Sequence, residues 1–275
     1  MKNLILLIGL FFIFVFNVNS QNVNELIKKS DEMYLNAKST NDFDNLIKFL
    51  KDAEWNNKNN YEITWRLGRA LSEKAVLLFI SYLNENMNKR KISDVDDILD
   101  SDKSLESYQE KNLLELGKEG MFYMEKAKSL NSSRVETYYY MALSVSMYGL
   151  GKSIVSALLE GISGKYESAL NESIKIDKTY SGSGALRLYG RYYYVLPWPK
   201  RDYEKSEQYL KQAVQNSPNE ILSHLYLGDT YWKLDKKDDA KNEWKKAKDI
   251  SKPDGLEKIL FDKIRNMIEK RLLLN

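Results

Sequence analysis

The chain contains no cysteine and a single histidine, His224. Without thiols there is no disulfide, no thiolate metal site and no cysteine nucleophile. With one imidazole, no histidine pair can hold zinc. Proline is scarce, at 4 residues, and glycine numbers 13 in 275. Few elements therefore need sharp breaks. Neither sign of charge dominates, with 42 Lys and Arg against 39 Asp and Glu. That balance lacks the basic footprint of a nucleic-acid binder. Long apolar runs are absent except at the start, from Leu4 to Phe16. A short positive Met1-Lys2-Asn3 precedes this run and Val18-Asn19-Ser20 follows it, the pattern of a secretory signal cut after Ser20. The run is shorter than the roughly 20 residues of a membrane span. Residues 1–20 are thus expected to be a cleaved signal, with an uncleaved anchor as the alternative. Residues 21–275 are expected to be a single helical domain outside the cytoplasm, with no stable membrane span once the signal is removed.

What is present is helical periodicity. Apolar residues recur at three- and four-residue spacing over 22–37, 42–56, 61–86, 109–130, 133–148, 152–176, 183–195, 203–216, 219–234, 237–250 and 255–273. No stretch alternates as a strand does, so the fold class is all-α. The C-terminal third repeats itself in the manner of a tetratricopeptide repeat (TPR). Leu227-Gly228 and Tyr231 fill the first-helix slots; Ala240, Trp244 and Ala247 fill those of the second, with Pro253 one position late. Upstream, Tyr189-Gly190 and Tyr193 pair with Ser206, Leu210, Ala213 and Pro218. The pattern decays but persists in Met141-Ala142 with Tyr166, Leu170 and Ser173, and in Leu67-Gly68 with Gly120, Met124 and Ala127. Small residues let paired helices approach, bulky ones fill the gap, and stacked pairs share a core. The expected architecture is a TPR-like α-solenoid of antiparallel helix pairs, closed by a capping helix at 255–273. Insertions interrupt it near 87–108 and 149–165; the second is glycine-flanked and apolar in the middle, and its "GLGKS" at 149–153 reads as a loop between helices.

Motifs of chemistry are weak. "GLGKS" at 149–153 lacks the first glycine of a phosphate loop, because Ser146 stands there. Asp94, Asp96, Asp97, Asp100 and Asp102 form an acidic cluster. A calcium loop needs a glycine and a glutamate at set positions, and Leu99 and Leu105 occupy them. No metal, no cofactor and no catalytic set is predicted, so an enzyme is not expected. The candidates for binding lie on first helices, which line the inner groove of such arrays. Arg187 and Arg191 are four apart on one face, and Arg66 and Arg69 are placed similarly. Two readings stay open: ion pairing with neighbouring helices, or a groove for anions and carboxylates. Tyr138–Tyr140 and Tyr192–Tyr194 each spread over about 200° of helix arc, so some members are core. Tyr194 is the member expected to face a ligand, and Trp198 joins the candidates from the Pro197-Trp198-Pro199 corner. On this reading Gly190→Leu disrupts packing, whereas Arg191→Ala leaves the fold intact and alters binding.

The segments "YEITWRLGRAL", "VETYYYMALSVSMYGLGK" and "SGSGALRLYGRYYYVLPWPKRDYEKSEQYLKQAVQNSPN" resemble the T-component (TatT) family of TRAP transporters. The resemblance covers residues 61–250. It implies an exported, periplasmic helical protein built on cryptic TPR pairs. The implied role is accessory to an uptake system, engaging a solute-binding partner protein and a small organic ligand, with homo-oligomers formed in some members. Some members carry a lipid-anchoring cysteine; this chain has none. The alternative function is a generic TPR scaffold that holds a peptide or helix of a partner in its concave face, with no transport role.

Overall fold

The computed structural model describes residues 23–90, 92–99, 105–251 and 256–274. The signal-like segment 1–20, Asp100, Asp102 and Pro253 lie outside them. Among the described residues there is no strand, and no helix is long and apolar enough to cross a membrane. The chain is a TPR-like α-solenoid. Helix α1 spans 23–36. Then follow α2 (Thr40–Asn56), α3 (Tyr61–Lys89), the short α4 (Val95–Leu99), α5 (Ser107–Leu130), α6 (Val135–Lys152), the short α7 (Ile154–Leu159) and α8 (Ile162–Ile176). The regular pairs α9 (Tyr180–Val195) with α10 (Tyr203–Asn216) and α11 (Ile221–Lys233) with α12 (Lys237–Asp249) come next, and α13 (Leu256–Leu273) ends the chain.

Side-chain caps fix where several helices begin. Asn60 accepts from the Ile63 amide at 3.1 Å before α3, and Asp202 from Lys205 at 2.8 Å before α10. Each satisfies an amide that the first turn leaves without a partner. The pairing follows the repeat positions read from sequence. A Cβ placed on Gly68 would lie 2.2 Å from Met124, on Gly190 2.4 Å from Leu210, and on Gly228 2.3 Å from Trp244. Three first helices thus meet their partners through a glycine, each with a bulky side chain seated on it.

Two segments differ from expectation. Residues 149–153 are not a loop. Helix α6 runs on to Lys152, α7 fills 154–159, and α8 begins at Ile162. Gly149 and Gly151 do not break α6; a Cβ on Gly151 would meet the Leu114 amide nitrogen at 2.3 Å. That glycine serves close backbone approach rather than a turn. The breaks fall instead at Ser153 (φ 72°) and Gly161 (φ 76°). The lead-in to α9 also departs from a plain helix start, because Ser181, Gly182 and Ser183 all take left-handed angles.

The last helix does more than cap. Its apolar face, with Leu260, Phe261, Ile264, Met267 and Ile268, is buried. Asn266 donates to Asn84 of α3 at 2.6 Å, and Lys270 to Asn88 at 2.6 Å. Arg271 holds Asp229 of α11 through two bonds, at 2.7 and 2.9 Å. The final helix therefore folds back across the solenoid from α11 to α3.

Candidate functional site

The first helices α3, α6, α9 and α11 turn one face inward, and α13 crosses that side. What remains between them is a partly enclosed cavity of about 660 Å³. Its walls are mostly apolar, including Val76 and Ile80 of α3, Leu143 and Met147 of α6, and Leu222 of α11. Helix α7 contributes Ile154, Ala157 and Leu158, and α13 contributes Leu260. The size falls in the range of sites for small organic molecules. The polar part of the lining includes four charged residues, Glu73, Arg187, Arg191 and Glu220, together with several tyrosines, among them Tyr34, Tyr139, Tyr140 and Tyr226, and a few serines.

Arg187 and Arg191 are brought together on this wall, as their spacing on α9 requires. Arg187 is buried, pairs with Glu220 at 2.9 Å, and donates to the Gly182 carbonyl at 3.1 Å. Glu220 is also the cap of α11, accepting from the Ser223 amide at 2.6 Å. The left-handed turn at 181–183 is what presents the Gly182 carbonyl to the guanidinium. Arg191 places its guanidinium over the Tyr194 ring at 4.3 Å and the Tyr226 ring at 4.9 Å, and faces Asp229 at 3.8 Å.

The other four candidates stand apart from the cavity. Tyr194 is buried beneath Arg191, with a hydroxyl that has no hydrogen-bond partner. Arg66 grips Asp31 of α1 through two bonds of 2.9 Å and Glu62 through one of 2.6 Å. Arg69 bonds the same Asp31 at 3.2 Å and stacks on Tyr34 at 3.8 Å. Burial raises the Asp31 carboxyl, but the two arginines outweigh it and hold it below its usual range. Those contacts fasten α1 to α3. Trp198 is 86% exposed on the corner after α9.

Glu73, like Glu220, is a charged residue of the cavity that the sequence candidates omit. It is buried, and Tyr140 donates to its Oε1 at 3.0 Å. Its Oε2 has no hydrogen-bond partner, while the Tyr34 hydroxyl lies close enough to the carboxyl to pull its pKa down. Burial pushes the carboxyl up from its ordinary pKa, more than the nearby Arg69 charge and the two tyrosine hydroxyls pull it down. A signal for it exists in the repeat register. Glu73 follows Gly68 by the step that takes Ala142 to Met147 and Gly190 to Val195, and all three lie on the cavity wall.

Among the described residues no group of His, Asp and Glu could hold a metal ion. No protein-family model matches the chain. No curated protein matches it. Solved structures similar to it include two helical proteins. One is the crystal structure of MamA protein, 15% identical, covering 82% of this chain and 91% of that one, with a TM-score of 0.43. The other is yeast Tom70, 12% identical, covering 85% of this chain and 59% of that one, with a TM-score of 0.33.

Proposed function

We propose that the chain is an exported TPR-like accessory protein that takes up a small organic ligand in its concave cavity and presents it to a protein partner. The resemblance to the TatT family suggests a periplasmic solute-binding protein as that partner. One observation carries the reading. The inner face of this solenoid is crossed by α13, so what remains is a pocket of about 660 Å³ rather than an open groove. An extended peptide needs a groove open along its length; a molecule of drug-like size needs a pocket. Partner contact then falls to the outer surface, where Trp55 of α2 and Phe122 of α5 are exposed. Those two residues also support the second reading, a protein-binding scaffold with no transport role. The proposed role is binding.

The test is to express the full chain in a Gram-negative host and recover it from the periplasmic fraction. Its mass should begin at Gln21, and native mass spectrometry should show a retained small molecule. Passed over the immobilised chain, periplasmic extract should yield a solute-binding protein. Retention of full length in the cytosol would remove the export claim. A ligand-free chain that captures only other proteins would leave the scaffold reading.

A further inference from the structure

We propose that Glu73 anchors the head of the cavity's ligand, and that this ligand is a chain-like amphiphile ending in an uncharged hydrogen-bonding group, an alcohol or primary amide. This rests on the reading of the cavity as a ligand site. The first argument is an unfilled bond. Glu73 is 6% exposed, lines the cavity and uses Oε1 for Tyr140, while Oε2 has no partner. A buried polar atom without a partner costs about 1–3 kcal/mol. A donor or acceptor brought in by a ligand recovers that cost.

The second argument is charge. Arg187 on the cavity wall pairs with Glu220, Arg191 faces Asp229, and Arg69 beside Glu73 is bonded to Asp31. Each guanidinium already faces a carboxylate, although Arg69 shares Asp31 with Arg66 and Arg191 shares Asp229 with Arg271. An anionic head would have to compete with those carboxylates while losing its water. An ammonium head would meet Glu73, but burial favours the neutral carboxyl there and Arg69 stands close behind it. A hydroxyl or an amide both donates and accepts, so it satisfies Oε2 whether or not the carboxyl carries its proton. The third argument is the rest of the wall. Val76, Leu143, Met147, Ile154 and Leu158 offer an apolar lining suited to a hydrocarbon chain.

The test uses the mature chain and the fluorescent apolar probe N-phenyl-1-naphthylamine. Dodecanol, 1-chlorododecane, dodecanoate and dodecylammonium compete for it. Dodecanol should displace the probe at lower concentration than either ion. Glu73→Leu should weaken dodecanol by about 10-fold and leave 1-chlorododecane as effective as before, whereas Glu73→Gln should keep dodecanol within about threefold. Thermal melts of both variants check folding, and the ranking in the unmodified chain needs no variant. The proposal is overturned if either ion outcompetes dodecanol, or if folded Glu73→Leu binds dodecanol unchanged. A chain that binds no probe and yields to none of the competitors overturns the ligand-site reading itself, which separates the two failures.

Discussion

His224 sits where both ring nitrogens face acceptors, Nδ1 against Glu243 at 2.6 Å and Nε2 against the Pro218 carbonyl at 2.9 Å. Only the doubly protonated ring can donate to both. Burial disfavours that charge, but the Glu243 bond, the Pro218 carbonyl and the Glu243 charge together raise the His224 pKa above 6.5. Glu243 is pushed up by burial and pulled further down by His224 and Lys246, ending below 4.5. The raised histidine contributes its full stability below pH 6.5 and loses it as pH rises through the folded value. The depressed glutamate contributes above pH 4.5 and loses it as pH falls through its folded value. The pair therefore stabilises most between those two pH values. Urea midpoints should fall as pH rises from 6 toward 8.5, and the fall should be shallower in His224→Gln; equal slopes would show that the pair does not titrate as described. On α9, Gly190→Leu should cost about 1–3 kcal/mol or more, because Leu210 already fills the space. Arg191→Ala is not the fold-neutral change that spacing suggested. Its guanidinium packs on two tyrosines and faces buried Asp229, so the same urea assay should record a loss as well. The repeat glycines were legible because a small residue opposite a bulky one leaves a sequence trace. Glu73 and the stacking of Arg191 were not, because groove register marks a position without saying which side chains meet across it.

Helix α6 shows why the glycines of the middle segment misled a reading by residue type. Gly117 on α5 and Gly151 on α6 stand at a crossing where the two backbones touch. A Cβ on Gly117 would lie 2.4 Å from the Tyr148 nitrogen, and one on Gly151 2.3 Å from the Leu114 nitrogen. Glycine in a helical pattern can end a helix or let a neighbour close in, and a single sequence does not separate the two. The regular pairs α9–α10 and α11–α12 were legible because their elements match the repeat length with only the Pro197–Pro199 corner added. The earlier pairs carry α4 and α7 between their members, and those insertions dilute the pattern. Two alanine substitutions distinguish the roles of glycine here. Gly117→Ala forces backbone apart and should destabilise by about 1–3 kcal/mol. Gly164→Ala, in α8 with nothing within 4 Å of its Cβ, should instead stabilise by up to about 1 kcal/mol. Thermal unfolding of the pair should move the midpoint in opposite directions. A destabilised Gly164→Ala would mean that α8 needs the flexibility of glycine and not merely its size.

At the scale of the whole molecule, α13 converts a row of stacked pairs into a wrapped one. A terminal helix in a solenoid ordinarily covers only the last pair. Here it reaches from Asp229 on α11 to Asn84 and Asn88 on α3, passing Leu260 over the cavity. The sequence marks α13 as amphipathic, but amphipathicity names a face to bury and not the surface that buries it. The Arg271–Asp229 pair is the fixed point of this closure. Asp229 is fully buried, and Trp244 adds a bond at 3.1 Å to the same oxygen that accepts from Arg271 Nε. Removing one partner of a buried ion pair leaves a charge without compensation and costs about 3–5 kcal/mol. Arg271→Ala should fall at the lower end, since Arg191 stands 3.8 Å from the same carboxylate. Hydrogen exchange reports where the loss is felt. In Arg271→Ala, amides of α13 should exchange through local opening, while amides of α3 and α5 keep the protection set by global unfolding. Opening should also weaken probe binding in the cavity, because Leu260 leaves the wall with the helix. If α13 and α3 lose protection together, the fold-back is part of one cooperative unit, and the cavity cannot open by releasing its last helix.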